Sequence, residues 1–391
     1  MSNDFVAEIL RATGTLRSGD PAGATAVIQA ALAAGGIASP AAAPAGSGRS
    51  RKALGDVVRI LAEGRRKLRP GGTMPGRGGT GHASSAPAVP DGAEFRDLRY
   101  SGAAGARRYR LYIPASASDG ADGGGGLQGL VVMLHGCTQS PEDFAAGTGM
   151  NALAEAHRLL VVYPAQTGGD NSMSCWNWFR PGDQTREAGE PAIIAGLTRR
   201  VRDEFAVAPG RVFVAGLSAG GAMAAILGAT HPDLYAAMGI HSGLAHGAAN
   251  DVASAFAAMR GQGGASRPGA ADTGGTREHD AAPRLIVFHG TADTTVHPVN
   301  AARIVGAHGV GPAQATQSEH TAADGRRGYT RMVSLQDDGV PRLECWMIEG
   351  AQHAWSGGQP GGSYTDPQGP DASAEMVRFF LGEAATGVSI R

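Results

Sequence analysis

Only three cysteines occur in the 391 residues, an odd number and too few for a disulfide framework. The spacing of Cys137, Cys175 and Cys345 matches no zinc-binding pattern, so no metal is expected. Nor does the chain contain a run of about 18 apolar residues, the length needed to span a bilayer. Met1-Ser2-Asn3-Asp4-Phe5 lacks the basic start and apolar stretch of a secretory leader, which makes the expected location cytoplasmic. Neither sign of charge prevails: 34 Lys and Arg face 35 Asp and Glu, and a net charge of −1 gives no whole-molecule field for nucleic acid or a membrane surface. Aromatic residues are scarce at 5%, with only four tryptophans, so the place of each tryptophan carries weight.

Glycine is abundant instead, at 61 residues, but without the three-residue period of a collagen. A hydrophobic fraction of 42% is enough for a sizeable buried core. One glycine-flanked segment is distinguished by its context. Gly216-Leu217-Ser218-Ala219-Gly220 follows the apolar run Val212-Phe213-Val214-Ala215 and precedes the small-residue stretch Gly221-Ala222-Met223. This is a G-x-S-x-G turn between a strand and a helix, the setting that lifts a serine hydroxyl clear of a sheet. Ser218 is the candidate nucleophile. Its partners should follow in the order acid, then histidine, each after a strand. Arg284-Leu285-Ile286-Val287-Phe288 leads to Asp293, and Leu343-Glu344-Cys345-Trp346-Met347-Ile348 leads to His353. Asp293 is thus the candidate orienting carboxylate and His353 the candidate general base.

Acyl transfer also needs donors for a developing oxyanion, and backbone N–H groups are the usual supply. One should come from Ala219, next to the nucleophile, and the other from the loop after Leu130-Val131-Val132-Met133-Leu134, where Gly136 permits a turn that aims the Cys137 N–H. His135 precedes Ser218, which breaks the expected order, and is read as bracing that loop.

Five segments together, Leu134-His135-Gly136-Cys137-Thr138-Gln139, Ser174-Cys175-Trp176-Asn177-Trp178-Phe179, Gly216 to Met223, Gly290-Thr291-Ala292-Asp293-Thr294-Thr295-Val296 and Gly350-Ala351-Gln352-His353-Ala354-Trp355, resemble the poly(3-hydroxybutyrate) depolymerase family of esterases, itself similar to feruloyl and acetylxylan esterases. The resemblance spans roughly residues 95–385. It implies an α/β-hydrolase fold with a central, mostly parallel sheet flanked by helices, no metal or organic cofactor, and ester hydrolysis through an acyl-enzyme. Hydroxybutyrate polyesters or oligomers are the substrates it implies first; feruloyl, acetyl or other short-chain esters are the alternative. It also implies that Ser218, Asp293 and His353 form a triad, that the Cys137 and Ala219 amides form an oxyanion hole, and that Asn177 orients a substrate carbonyl. A bridge between Cys137 and Cys175 is left open by the resemblance, whereas a reducing cytosol would keep both as free thiols.

Residues 1–92 read as a helical, low-complexity extension ahead of a catalytic domain over 93–391. Helical spacing of apolar residues marks Asp4–Leu16, Pro21–Ala33 and about Arg51–Lys67, with Ala, Gly, Pro and Ser between them. Around the third helix Arg49, Arg51, Lys52, Arg59, Arg65, Arg66, Lys67 and Arg69 outnumber Asp56 and Glu63, so residues 1–69 are a solvated tail or an arm that contacts a granule or a protein. Residues 261–282, small and charged, read as a surface insertion. Trp176, Trp178 and Trp355 flank the proposed chemistry, and are read either as anchors that hold loops down or, with Asn177, as the wall of a substrate cleft. A rival of another class, a non-catalytic binding module on a hydrolase fold, is opposed by the complete Ser-Asp-His set.

Overall fold

The apolar runs that punctuate the sequence pair edge to edge into one large sheet. The computed structural model describes residues 87, 89–117, 126–262, 282–309, 316–322 and 325–383. The chain divides into two units, 1–79 and 80–391, and the described residues all lie in the second. The three N-terminal helices expected from the sequence, and residues 263–281 of the expected insertion, fall outside the described residues.

The strands are β1 (Glu94–Gly102), β2 (Gly105–Ile113), β3 (Gly129–Leu134), β4 (Leu159–Pro164), β5 (Val212–Leu217), β6 (Ala237–His241), β7 (Arg284–Gly290), β8 (Thr316–His320), β9 (Tyr329–Leu335) and β10 (Pro341–Ile348). Their spatial order is β1-β2-β4-β3-β5-β6-β7-β10-β9-β8. From β4 through β10 the neighbours run parallel, while β1 and β2 at one side and β9 and β8 at the other are antiparallel. Strands β3, β4, β5 and β6 are buried along their whole length, as continuous apolar strands must be when helices cover both faces. The outermost strand β8, Thr-Gln-Ser-Glu-His, is polar and exposed throughout, a composition that discourages edge-to-edge association.

Side-chain alternation divides the core between the two faces of the sheet. Leu130, Val132 and Leu134 point to one side, with α3 (Gly189–Glu204), α4 (Ala219–Thr230), α5 (Val252–Met259) and α6 (Val299–Ala307). Val131 and Met133 point to the other, with α1 (Pro141–Thr148), α2 (Met150–His157) and α7 (Ala372–Leu381). A two-strand parallel pair, β11 (Trp355–Ser356) and β12 (Thr365–Asp366), closes the loop that follows β10. This is the α/β-hydrolase architecture expected from the resemblance.

One strand buries a charge on its inward face. Alternation puts Arg108 and Arg110 on the more exposed face and Arg107 on the face of Tyr109, where it is buried, donating from Nη1 to Gln166 Oε1 and to Asp170 Oδ2 at 2.7 Å. Its acceptors there are the buried Gln166 and the surface Asp170.

A second buried charge group joins the far strands to the last helix. Glu344 on β10 accepts from Arg331 on β9 at 2.8 Å, from Arg378 on α7 at 2.7 Å and from the Trp346 indole at 3.1 Å. Removing the carboxylate strands the buried Arg331 guanidinium and takes one partner from Arg378, which keeps Glu375; the loss costs about 3–5 kcal/mol. Glu344→Ala is therefore expected to lower the unfolding free energy by that much, read by chemical unfolding, with Glu344→Gln intermediate; an unchanged value would show that the Glu344 charge group contributes nothing net.

Candidate active site

The three candidate residues sit at the C-terminal ends of β5, β7 and β10, the end of a parallel sheet where chain crossings leave a crevice. Ser218 ends β5 with φ 58° and ψ −118°, a conformation L-residues rarely adopt, and α4 begins at the next residue. Its N–H donates to the His241 carbonyl at 2.9 Å. The flanking glycines are explained by contact. A Cβ at Gly220 would collide with the carbonyls of Leu134 and His135, and one at Gly216 with the Gly220 backbone and the Leu134 carbonyl. The elbow thus leans directly on the end of β3.

Asp293 is buried in the loop after β7. Its Oδ1 accepts from the amides of Thr295 and Val296, each at 2.9 Å, and its Oδ2 accepts from His353 Nδ1 at 2.7 Å. Burial pushes the carboxyl upward, but the hydrogen bond and charge of His353, the Val296 amide and nearby His289 hold it below the usual range. With Nδ1 carrying its proton toward Asp293, Nε2 of His353 is the basic nitrogen. The Ser218 hydroxyl, on a residue only 9% exposed, makes no hydrogen bond among the described residues, so the structure joins acid to histidine and leaves histidine to serine unclosed. In free enzymes that contact commonly tightens only in the substrate complex.

Neither the Cys137 nor the Ala219 N–H has a backbone acceptor among the described residues, which leaves both available to an oxyanion. The loop that carries Cys137 is fixed on every side. The Gly136 N–H donates to Gln139 Oε1 at 2.9 Å, and Gln139 Nε2 donates to Asp143 and to the Ser363 carbonyl. His135 donates from Nδ1 to the Gly136 carbonyl at 2.8 Å and accepts the Gln166 N–H at Nε2, 3.0 Å away. Its bracing role is thus as expected. Cys137 and Cys175 form a disulfide, with Cα atoms 4.2 Å apart, so the free-thiol expectation is corrected. The bridge ties the Cys137 loop to the segment 166–178, a pairing that spacing alone does not specify.

Of the two readings of the tryptophans, burial and, for Trp176 and Trp355, hydrogen bonding support the anchors that hold loops down. Trp176 is buried and donates to the His135 carbonyl at 3.0 Å; Trp355 is buried and donates to Ser373 at 3.0 Å. Trp178 is buried edge-on against Phe179. Asn177, read as a carbonyl-orienting residue, is buried with its amide engaged: Nδ2 donates to Glu190 at 2.8 Å and Oδ1 accepts from Asn171 at 2.9 Å. Glu190 also accepts from Gln166 and the Asn177 N–H. Burial, with the Asp183 charge, raises its carboxyl above the usual range against the pull of the Asn177 donors and Arg107. These residues hold the loops that frame the site.

Two positioning residues escape sequence reasoning. His289 donates from Nε2 to the Val296 carbonyl at 2.8 Å, which holds the turn whose amides clamp Asp293. His241 accepts the Ser356 N–H at Nε2, 3.0 Å away, and stacks on Phe288 and Trp355. His241 ends β6 and His289 is the penultimate residue of β7, so sequence alone places them at strand ends much as it places Asp293 and His353, and depth of burial separates them.

Burial lowers His135 to about 4 and His241 to about 3, with repulsion from His289 and His353 added at His241. An unfolded histidine titrates near 6.5. Above that pH both states are neutral; below it the unfolded chain binds protons that the folded chain refuses, so stability falls with pH by about 1.4 kcal/mol per unit for each residue. Asp293, held low, contributes only below about pH 4. The melting temperature is expected to be level above pH 7 and to drop steadily from pH 6.5 to 4.5, with a shallower drop in His135→Gln. A level curve across that window would contradict the buried neutral imidazoles.

The esterase PHB depolymerase family model matches residues 108–312, just over half of the chain. Poly(3-hydroxyalkanoate) depolymerase C of Paucimonas lemoignei is 34% identical over 232 residues, covering 57% of this chain and 54% of that protein. Poly(3-hydroxybutyrate) depolymerase of Ralstonia pickettii is 29% identical over 267 residues, 64% of this chain and 52% of that one. The chain therefore spans about half the length of the curated relatives it matches. Among solved structures, the acetyl xylan esterase from Aspergillus awamori superposes with a TM-score of 0.56 at 20% identity, over 73% of this chain and 98% of that one, which shows a shared fold. With the glycine-flanked elbow, the paired Asp293 and His353 and the family match in one chain, this protein belongs to the esterase PHB depolymerase family.

Proposed function

We propose that the protein is a serine carboxylic-ester hydrolase that works through an acyl-enzyme on hydroxyalkanoate polyesters or their oligomers. The observation that carries the reading is the 2.7 Å bond between His353 Nδ1 and a buried Asp293, set beside a serine on a strained elbow. His353 Nε2 takes the Ser218 proton as the hydroxyl attacks the ester carbonyl, and Asp293 fixes the tautomer and stabilises the imidazolium. The Cys137 and Ala219 amides receive the oxyanion. The protonated His353 then gives its proton to the leaving alcohol. Water, deprotonated by His353, attacks the acyl-enzyme and releases the acid and Ser218.

The choice of a hydroxyalkanoate ester over a feruloyl or acetyl ester rests on the depolymerase relatives, and a contact of residues 1–69 with a granule or protein rests on their basic composition. No helix among the described residues is long and apolar enough to cross a membrane. The Cys137–Cys175 bond speaks for an oxidising compartment and against the cytoplasmic location read from the sequence, since a reducing cytosol tends to open such bonds.

Ser218→Ala is expected to lower ester turnover by at least about 10⁴-fold, and Asp293→Asn by a comparable factor through the wrong histidine tautomer. A fluorophosphonate probe should add to Ser218 in the wild type and not in Ser218→Ala, as read by mass spectrometry. A wild type that takes no probe and cleaves none of aryl acetate, hydroxybutyrate trimer and feruloyl ester would establish the non-catalytic alternative. Preferential cleavage of the feruloyl or acetyl ester would move the substrate class.

A further inference from the structure

With the tryptophans buried, the apolar surface beside the site must come from elsewhere. Seven described large apolar side chains are exposed, and Met173 and Tyr364, at 56% and 47%, are the two tied to the loop that carries Cys137. The Met173 carbonyl accepts the Thr138 N–H at 2.8 Å. The Tyr364 hydroxyl lies 3.2 Å from Thr138 Oγ, and Thr138 already donates its hydroxyl proton to the Cys137 carbonyl at 2.6 Å, so Tyr364 is the donor. From the other side, the Tyr364 carbonyl accepts the Trp355 N–H at 2.7 Å, two residues beyond His353. Tyr364 thus bridges the loop of the oxyanion amide and the loop of the general base.

The backbone is unusual at the same place. Thr138, Ser174 and Tyr364 all have positive φ, at 65°, 49° and 52°, in a region costly for residues with a side chain. Such strain persists only where the surroundings impose it, and it concentrates at working sites. Here the neighbouring Ser363 is clamped: its N–H and hydroxyl both donate to Asp143, at 2.9 and 2.5 Å, and its carbonyl accepts from Gln139. A glycine at 364 would relieve the strain without a ring. A tyrosine there, half exposed and fixed at both ends, spends that strain on presenting an aromatic face.

We propose that Tyr364 and Met173 form the apolar rim that receives the aliphatic chain flanking the scissile ester and so determine preference for chain length. The rigid phenol face gives area at little entropic cost, and the unbranched thioether adapts to branches along the chain. The inference rests on the esterase reading of the site, and it makes these residues binding elements distinct from the reacting groups.

The test compares kcat and KM for p-nitrophenyl acetate and for a 3-hydroxybutyrate trimer in the wild type, Tyr364→Ala, Met173→Ser and Tyr364→Phe. A rim that holds the chain contributes binding that short esters do not use, so Tyr364→Ala should lower kcat/KM for the trimer about tenfold more than for the acetate, mostly through KM. Met173→Ser should do the same to a smaller extent, and Tyr364→Phe, which keeps the ring and loses the bond to Thr138, should retain the preference for the trimer. Equal losses in kcat on both esters would show that Tyr364 merely props the oxyanion loop, and would overturn the proposal. A wild type that cleaves only the acetate, or an unchanged ratio in Tyr364→Ala, would overturn it too. Inactivity of the wild type on both esters would count against the esterase reading instead.

Discussion

The geometry of this site hangs on one buried residue that touches both of its halves. The His241 carbonyl accepts the Ser218 N–H, and its imidazole accepts the Ser356 N–H, three residues past His353. The strained turn at Ser218 and the loop that carries His353 are therefore referred to the same strand end, β6, in the middle of the parallel sheet. The link requires a neutral ring, because a protonated Nε2 could not accept the Ser356 N–H, and burial between Phe288 and Trp355 keeps it neutral. A hydrogen bond to a buried acceptor costs more to break than it contributes when made, so an acceptor of this kind sets position more than it adds stability.

The second constraint is steric. The end of β3 and the elbow after β5 approach so closely that Gly216 and Gly220 admit no side chain. The approach fixes one end of the oxyanion loop; His135, Gln139 and the bridge to Cys175 fix the rest. In the proposed reaction the two amides must be in place before charge develops, since reorienting them during the reaction would cost the energy they are meant to return.

This division explains what could be read from the sequence. Ser218, Asp293 and His353 are legible because each follows an apolar strand, and strand ends of a parallel sheet converge whatever the loops do. The strands themselves were legible for the same reason, through continuous runs such as Leu130 to Leu134. Trp176, Trp355 and Asn177 were not, because composition shows that a loop carries aromatic and amide groups but not which way they face. Their partners, the His135 carbonyl, Ser373 and Glu190, lie far off in sequence. The Cys137–Cys175 bond belongs to the same class: a spacing of 38 residues fixes no geometry until β3 and the segment after β4 are laid side by side.

Arg107 shows how far those loops depend on buried charge. Its guanidinium lies over the Trp176 ring and donates to Gln166 and Asp170, and Gln166 in turn donates to Glu190, the acceptor of Asn177. A buried cation is costly unless its neighbours answer it, and here the answering groups, Gln166, Asp170 and the more distant Glu190, lie on the framing segment after β4 and at the start of α3. The disulfide fastens that segment at one point; the arginine fastens it at several and makes its position conditional on the sheet. The Cys137 loop, bonded to that segment through Cys175, is thereby referred to the packed sheet as well as to its own neighbours Gln139 and His135.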